Sequence, residues 1–86
     1  MYLVFRGGTG MEIAPGVSVD PGIHHGVPVI AGTRIPVSIV VGSFAGGMSR
    51  DDIKREYGLS GEQVDAALAY AAGLVADTEV IALAGT

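Results

Sequence analysis

The stretch Met48-Ser49-Arg50-Asp51-Asp52-Ile53-Lys54-Arg55-Glu56-Tyr57-Gly58-Leu59-Ser60-Gly61-Glu62-Gln63-Val64 carries the same helix-start pattern twice. Met48 to Ile53 and Leu59 to Val64 each read apolar residue, serine, two residues, acid or amide, apolar residue. This is a capping box set inside a hydrophobic staple. Each serine hydroxyl can accept from an orphan N–H one turn into its helix, and Asp52 or Gln63 can reach back to the serine's own N–H. Two helices therefore begin here. Only Tyr57-Gly58-Leu59 separates them, with Gly58 where a left-handed C-terminal cap is wanted, so the pair reads as a helix-turn-helix.

Working outward, the second helix is predicted over about Arg50 to Tyr57, with Ile53 and Tyr57 on one face at a spacing of four. The third is predicted from about Gly61 to Ala76, with Val64, Ala67, Leu68, Ala71, Leu74 and Val75 as its apolar stripe. Upstream, Ser38 to Ala45 reads as a first helix. It contributes Ile39, Val40 and Phe44 to the core and stops at Gly46-Gly47. Thr78-Glu79-Val80-Ile81-Ala82-Leu83 is rich in apolar and β-branched residues and reads as a strand or a partner-binding tail rather than as more helix.

The first third is turn-rich. Met1 to Gly10 holds a short strand candidate, Tyr2 to Phe5, followed by the flexible Arg6-Gly7-Gly8-Thr9-Gly10. Met11 to Val19 is predicted as one short strand ending at the turn-forming Asp20-Pro21-Gly22. Two apolar patches, Val27 to Ile30 and Arg34 to Val37, flank the turn Ala31-Gly32-Thr33. Pro28 and Pro36 cannot donate to a central ladder, so these patches are edge strands or irregular extended chain. An exposed edge invites pairing with a second copy.

Composition narrows the function classes. Eighty-six residues make one domain that buries only roughly 60% of its unfolded surface, which leaves stability to be supplemented by a partner. There is no cysteine, hence no disulfide framework and no thiolate metal site. The nearly uncharged stretch Ile35 to Met48 is too short to span a bilayer and is interrupted by Pro36, Gly42, Gly46 and Gly47. Tyr2 to Phe5 is much shorter than a signal-peptide core. The expectation is a cytoplasmic protein without membrane association. Residues 58–86 contain Glu62, Asp65, Asp77 and Glu79 and no Lys or Arg, whereas residues 1–48 (Arg6 and Arg34 against Glu12 and Asp20) and 49–57 (Arg50, Lys54 and Arg55 against Asp51, Asp52 and Glu56) are balanced, so the net charge of −4 sits in this last part.

Asp20-Pro21-Gly22-Ile23, His25-Gly26, Pro28-Val29-Ile30, Gly32-Thr33-Arg34-Ile35-Pro36-Val37, Ala45-Gly46-Gly47-Met48-Ser49 and Ala67-Leu68-Ala69-Tyr70-Ala71 resemble the domain-of-unknown-function 433 family. The match covers about residues 18–72, and the ordered Gly-Thr-Arg-Ile-Pro-Val run is its most specific part. The resemblance implies a mainly α fold: a three-helix, homeodomain-like helix-turn-helix bundle preceded by short N-terminal β-strands. It divides the chain into an N-terminal extension (1–17), the domain itself (18–76) and a C-terminal tail (77–86). It also implies an antitoxin of a type II toxin-antitoxin pair, partnered with a PIN-like ribonuclease. His25, Gly26, Pro28, Gly32, Thr33, Arg34 and Pro36 stand in its motif positions.

Each candidate residue has a structural alternative. Adjacent His24 and His25 in an extended segment would point to opposite faces, and no cysteine or carboxylate pair completes a metal site. A structural role is expected, with His25 bonding a loop carbonyl. Arg34 either ties loop carbonyls together or pairs with Asp20, or else contacts a partner or phosphate. The glycine runs lack the Lys-Ser or Lys-Thr of a phosphate loop. Asp51 and Asp52 suit a helix N-terminus, and Lys54 and Arg55 suit a last turn.

Nucleic-acid recognition turns on the third helix, whose N-terminal residues would meet base edges. Gln63 could read adenine and Glu62 could accept from cytosine, yet no cation on that helix neutralises phosphate. Arg50, Lys54 and Arg55 form the basic cluster. Weak operator binding by the chain alone is expected. Three readings follow: a homodimeric antitoxin that masks a ribonuclease, using Arg34, Arg50 or Arg55 as basic donors or the tail as an added strand; a stand-alone helix-turn-helix transcription regulator; and a small enzyme. The last is weakest, because nothing supplies a nucleophile with a base and an orienting group. No cofactor is expected.

Overall fold

A computed structural model of the chain describes the backbone of residues 10–84 and the side chains of residues 10–76. The expected strand at Tyr2 to Phe5 lies outside the described residues. The architecture is mixed and mostly helical: a three-stranded antiparallel sheet at the N-terminal side, then three helices. The strands are β1 (Met11–Ala14), β2 (Val17–Val19) and β3 (Val29–Ile30), in sheet order β1-β2-β3. The helices are α1 (Val37–Ala45), α2 (Arg50–Tyr57) and α3 (Gly61–Ala84).

Met11 to Val19 is not one strand but a hairpin. Pro15 fixes φ at the first turn position and Gly16 takes φ 76 at the second, so the chain reverses and Ala14 pairs with Val17. The Glu12 carboxylate accepts from the Gly16 N–H at 3.0 Å, closing the hairpin end. The ladder slips between Glu12 and Ala14, which turns Ile13 outward. β2 then pairs with β3, Val17 opposite Ile30, while Val29 bridges to Pro36. The expectation of edge strands around Pro28 and Pro36 holds. The Pro28 carbonyl accepts from the Val37 N–H at 3.0 Å, so the chain folds back on itself between β3 and α1.

The helix-turn between α2 and α3 forms as the sequence requires. Ser49 accepts from the Asp52 N–H and Ser60 accepts from the Gln63 N–H, each at 3.1 Å. Gly58 takes φ 67, ψ 37, and the N–H groups of Gly58 and Leu59 both donate to the Lys54 carbonyl. The two boxes differ in one respect. Gln63 returns its side-chain oxygen to the Ser60 N–H at 2.8 Å, whereas Asp52, one methylene shorter, turns its carboxylate to Arg55 instead.

The core is Val17, Val29, Ile30, Val37, Val40, Ile53, Leu59, Val64 and Ala67, and no polar or charged described residue is buried with them. Val17 comes from the hairpin, so residues 11–17 are built into the same core as the helices. Burying the six fully enclosed aliphatic side chains, Val17, Val29, Ile30, Val40, Ile53 and Val64, at roughly 1.5–3 kcal/mol each supplies the driving force. α1 begins one residue earlier than expected and buries Val37 and Val40, with Val41 and Phe44 packed beside them, at spacings of three, four and seven. Ile39, expected in the core, is off that face and 43% exposed. Two further expectations fail at the C-terminal end. The presumed strand from Thr78 to Leu83 is a continuation of α3, because no Gly, Pro or capping residue after Gly73 stops the helix. Leu74 and Val75, expected to complete the buried stripe, are 51% and 58% exposed. Among the described residues no helix is long and apolar enough to cross a membrane.

Candidate partner-binding surface

The loop from Ala31 to Arg34 is held at several points. The Thr33 hydroxyl donates to the Ile30 carbonyl at 2.8 Å and accepts from the Ile35 N–H at 3.0 Å, and the Thr33 N–H also returns to Ile30. Gly32 takes φ +80, a value that costs an L side chain about 1–2 kcal/mol. These bonds explain why Gly32 and Thr33 stand where they do in the motif. Pro28 and Pro36 occupy the two ends of the fold-back, where no ladder N–H is needed.

The histidines are not extended. His24, His25 and Gly26 take φ 50, 59 and 88, three left-handed residues in a row, closed by Gly26 N–H donating to the Ile23 carbonyl. Each histidine in that region costs about 1–2 kcal/mol, which surrounding bonds must offset. One such bond is from the His24 ring: its Nε2 lies 3.0 Å from the Arg34 carbonyl oxygen, which can only accept, so this nitrogen carries the proton. The loop carbonyl is thus met by His24 and not by His25. A left-handed pair of histidines leaves no trace in hydrophobic pattern, and only the adjacent Gly26 hinted at it.

The candidate cations divide sharply. Arg50 donates to the Gly61 carbonyl and to the Asp65 carboxylate, both at 3.1 Å, tying the start of α2 to the first turn of α3. Arg55 is ion-paired with Asp52 one turn away. Gln63 is spent on the Ser60 cap. Lys54 is half-buried and makes no ion pair among the described residues. Arg34 is exposed, and its guanidinium makes no ion pair and no hydrogen bond among the described residues. The expected tie from Arg34 to Asp20 or to loop carbonyls does not form. The Asp20 carboxylate instead accepts from the Gly22 N–H at 2.8 Å, an Asx turn.

Arg34 lies on the wall of an open cleft of about 470 Å³ between the hairpin and the Ala31–Arg34 loop, whose lining also includes Glu12, Ser18 and Asp20. Among the described residues no group of three or more His, Asp or Glu side chains is placed to hold a metal ion. Farther along the chain, Leu74 and Val75 on α3 are exposed.

With this geometry in view, comparisons place the chain among known proteins. No curated protein matches it significantly. A crystal structure of Rv2018 from Mycobacterium tuberculosis is similar in fold, with a TM-score of 0.64 at 24% identity over 78% of this chain. The chain spans about a third of that protein's length, 35%. The model of the family described as "Protein of unknown function (DUF433)" matches residues 17–71, which takes in β2, the strained turn, the Arg34 loop and all the helical core. The chain belongs to the DUF433 family.

Proposed function

We propose that this chain is an antitoxin of the type II kind: a non-enzymatic homodimer that binds and neutralises a PIN-like ribonuclease. The observation that supports the reading is Val75 on α3, an apolar side chain 58% exposed. The sequence that follows it, Asp77-Thr78-Glu79-Val80-Ile81-Ala82-Leu83-Ala84, is apolar apart from two acids and one threonine. Covering exposed apolar side chains gains about 25 cal/mol for each Å² of apolar surface removed from water, and a partner groove can supply that cover. The second copy is assigned to the outer edge of β1, which ends the sheet among the described residues.

The homeodomain-like helix-turn-helix reading of α2 and α3 extends this to autoregulatory operator binding as a secondary role. Its support is the tight Gly58 turn, and its weakness is charge. Arg50, Arg55 and Gln63 are engaged within the protein, leaving Lys54 and the exposed remainder of the pairs to meet phosphate. For the same reason the stand-alone regulator is the less favoured reading.

The test is affinity purification of the tagged full-length protein from its native host, with the ribonuclease activity of co-purifying proteins assayed before and after release. Near-stoichiometric recovery of a small nuclease that is silent in the complex and active when freed is the expected result. Recovery of no nuclease, or of one equally active in the complex, refutes the reading. In a gel-shift assay, tight operator binding by the isolated chain at physiological salt would restore the regulator in its place.

A further inference from the structure

We propose that the groove between the hairpin and the first turns of α3 is a docking site for a short basic segment of a protein partner, in which an arginine or lysine stands a few residues from an apolar side chain. Nothing in the proposal depends on that partner being a nuclease.

Glu62, Asp65, Ala66, Ala69 and Tyr70 follow one another at spacings of three, four, seven and eight from the first, which puts them on one face of α3. Ala14 and Pro15, at the end of the hairpin, supply the rest of the lining of an open groove of about 370 Å³. The hairpin is seated tightly beside it, since a Cβ on Gly16 would lie 2.7 Å from that of Ala66. A partner therefore meets a groove already formed in folding, and little of the protein is left to order on binding. From Glu62 to Tyr70 the helix rises about 12 Å. That is room for about four residues of extended chain at about 3.3 Å each.

Charge decides what fits. Glu62 and Asp65 are the charged members of the lining, and no Lys, Arg or His accompanies them. Glu62 makes no ion pair and no side-chain hydrogen bond among the described residues. Asp65 gives its Oδ2 to Arg50 and keeps Oδ1 without a partner among them. One acid is thus wholly unspent and the other half spent. The sequence from residue 58 to 86 adds two more acids and no Lys or Arg, so the field around α3 draws in a cation and repels phosphate or carboxylate. A first-turn acid also suits the helix dipole, which by itself accounts for Glu62. It does not account for a concave lining that joins two carboxylates to apolar walls without a cation.

The other end of the groove is apolar. Ala66 and Ala69 add little bulk, Tyr70 is half-buried, and Leu74, one turn farther on the same face, is 51% exposed. A lysine or arginine lays an apolar stem along such a surface and carries its charge to the acidic end, while a neighbouring apolar side chain covers Tyr70 and Leu74. In a helix-turn-helix the N-terminal residues of this helix would meet DNA. Here the same turns carry an acidic groove, which suits a basic peptide and opposes a phosphate chain.

The experiment is an NMR titration of the full-length protein, following its backbone amides. The probes are the blocked tetrapeptides N-acetyl-Arg-Ala-Ala-Leu-amide and N-acetyl-Leu-Ala-Ala-Arg-amide. N-acetyl-Glu-Ala-Ala-Leu-amide and a dT octamer are the controls. At least one basic peptide is expected to shift the amides of Glu62, Asp65, Ala66 and Ala69 to saturation in the millimolar range, and neither control should. Glu62→Gln, at an exposed position, should keep the spectrum of a folded protein and weaken that binding about threefold. No saturation by either basic peptide, saturation by a control, or unchanged affinity in Glu62→Gln overturns the proposal. Movement of the same amides on dilution without peptide would give the groove to a second copy, and movement in Arg6→Gln without peptide would give it to the chain's own N-terminal segment; either result overturns it as well. Because no nuclease is present, a failed search for the ribonuclease and a failed titration are separate results.

Discussion

Gly16→Ala is expected to cost more than any other glycine substitution in the described fold, and the cost can be divided. Gly16 has φ +76, and a Cβ built there lies 2.7 Å from the Cβ of Ala66 on α3. The left-handed backbone alone costs an alanine about 1–2 kcal/mol. The overlap adds about 1–3 kcal/mol, since neither methyl can rotate away and the hairpin must lift from α3. The sum is about 2–5 kcal/mol, against roughly 4–13 kcal/mol of total stability for a chain of this size. Gly58→Ala is the control: its φ is +67 and its Cβ would meet nothing within 4 Å, so it should show the backbone cost alone. Ala66→Gly in the Gly16→Ala background removes the overlap but adds about 1 kcal/mol of helix propensity. The double mutant should therefore be no less stable than Gly16→Ala, and the cycle should return a favourable coupling of about 1–3 kcal/mol. Urea denaturation at 10 °C, followed by circular dichroism, measures all four proteins. If Gly16→Ala and Gly58→Ala cost the same, or the coupling is zero, the hairpin does not press on α3 as described.

Gln63→Ala should destabilise by about 0.5–1 kcal/mol and Asp52→Ala by less, because only Gln63 bonds back to its capping serine; thermal melts of the two variants decide the order. Arg50→Ala, which loses an ion pair whose partners are 49% and 59% exposed, should cost less than about 1 kcal/mol and leave a cooperative melt. Val75→Lys should leave the stability of the isolated chain within about 0.5 kcal/mol, because Val75 is exposed, yet reduce nuclease co-purification at least tenfold. An unchanged yield would move the binding surface off α3.

Legibility followed the range of the interactions. The capping serines, Gly58 and the span of α2 were readable because helix ends are set by residues three or four apart. The α1 face was readable in principle, as Val37, Val40, Val41 and Phe44 keep helical spacing, but starting the helix at Ser38 put Ile39 inside in place of Val37. At Thr78 to Leu83, β-branched composition argued for a strand while helix continuity from Gly61 prevailed, propensity being weaker than an unbroken ladder. At the site, the motif carrying Arg34 was visible, but not whether its guanidinium is paired within the chain. Whether a guanidinium is satisfied depends on where Asp20 and the loop carbonyls point, and Asp20 is turned to its own Gly22 amide. The strain at His24 and His25 depends on closure of a loop against Arg34 ten residues away, which no local pattern encodes.

The press of Gly16 on Ala66 has a consequence for the birth of the protein. On the ribosome the hairpin emerges first, but the helix that must receive it follows about fifty residues later, roughly 3–10 s at ordinary synthesis rates. Until then Val17 lacks the α3 side of its core, so the hairpin can be locked in place only after Val64 and Ala67 have left the ribosome.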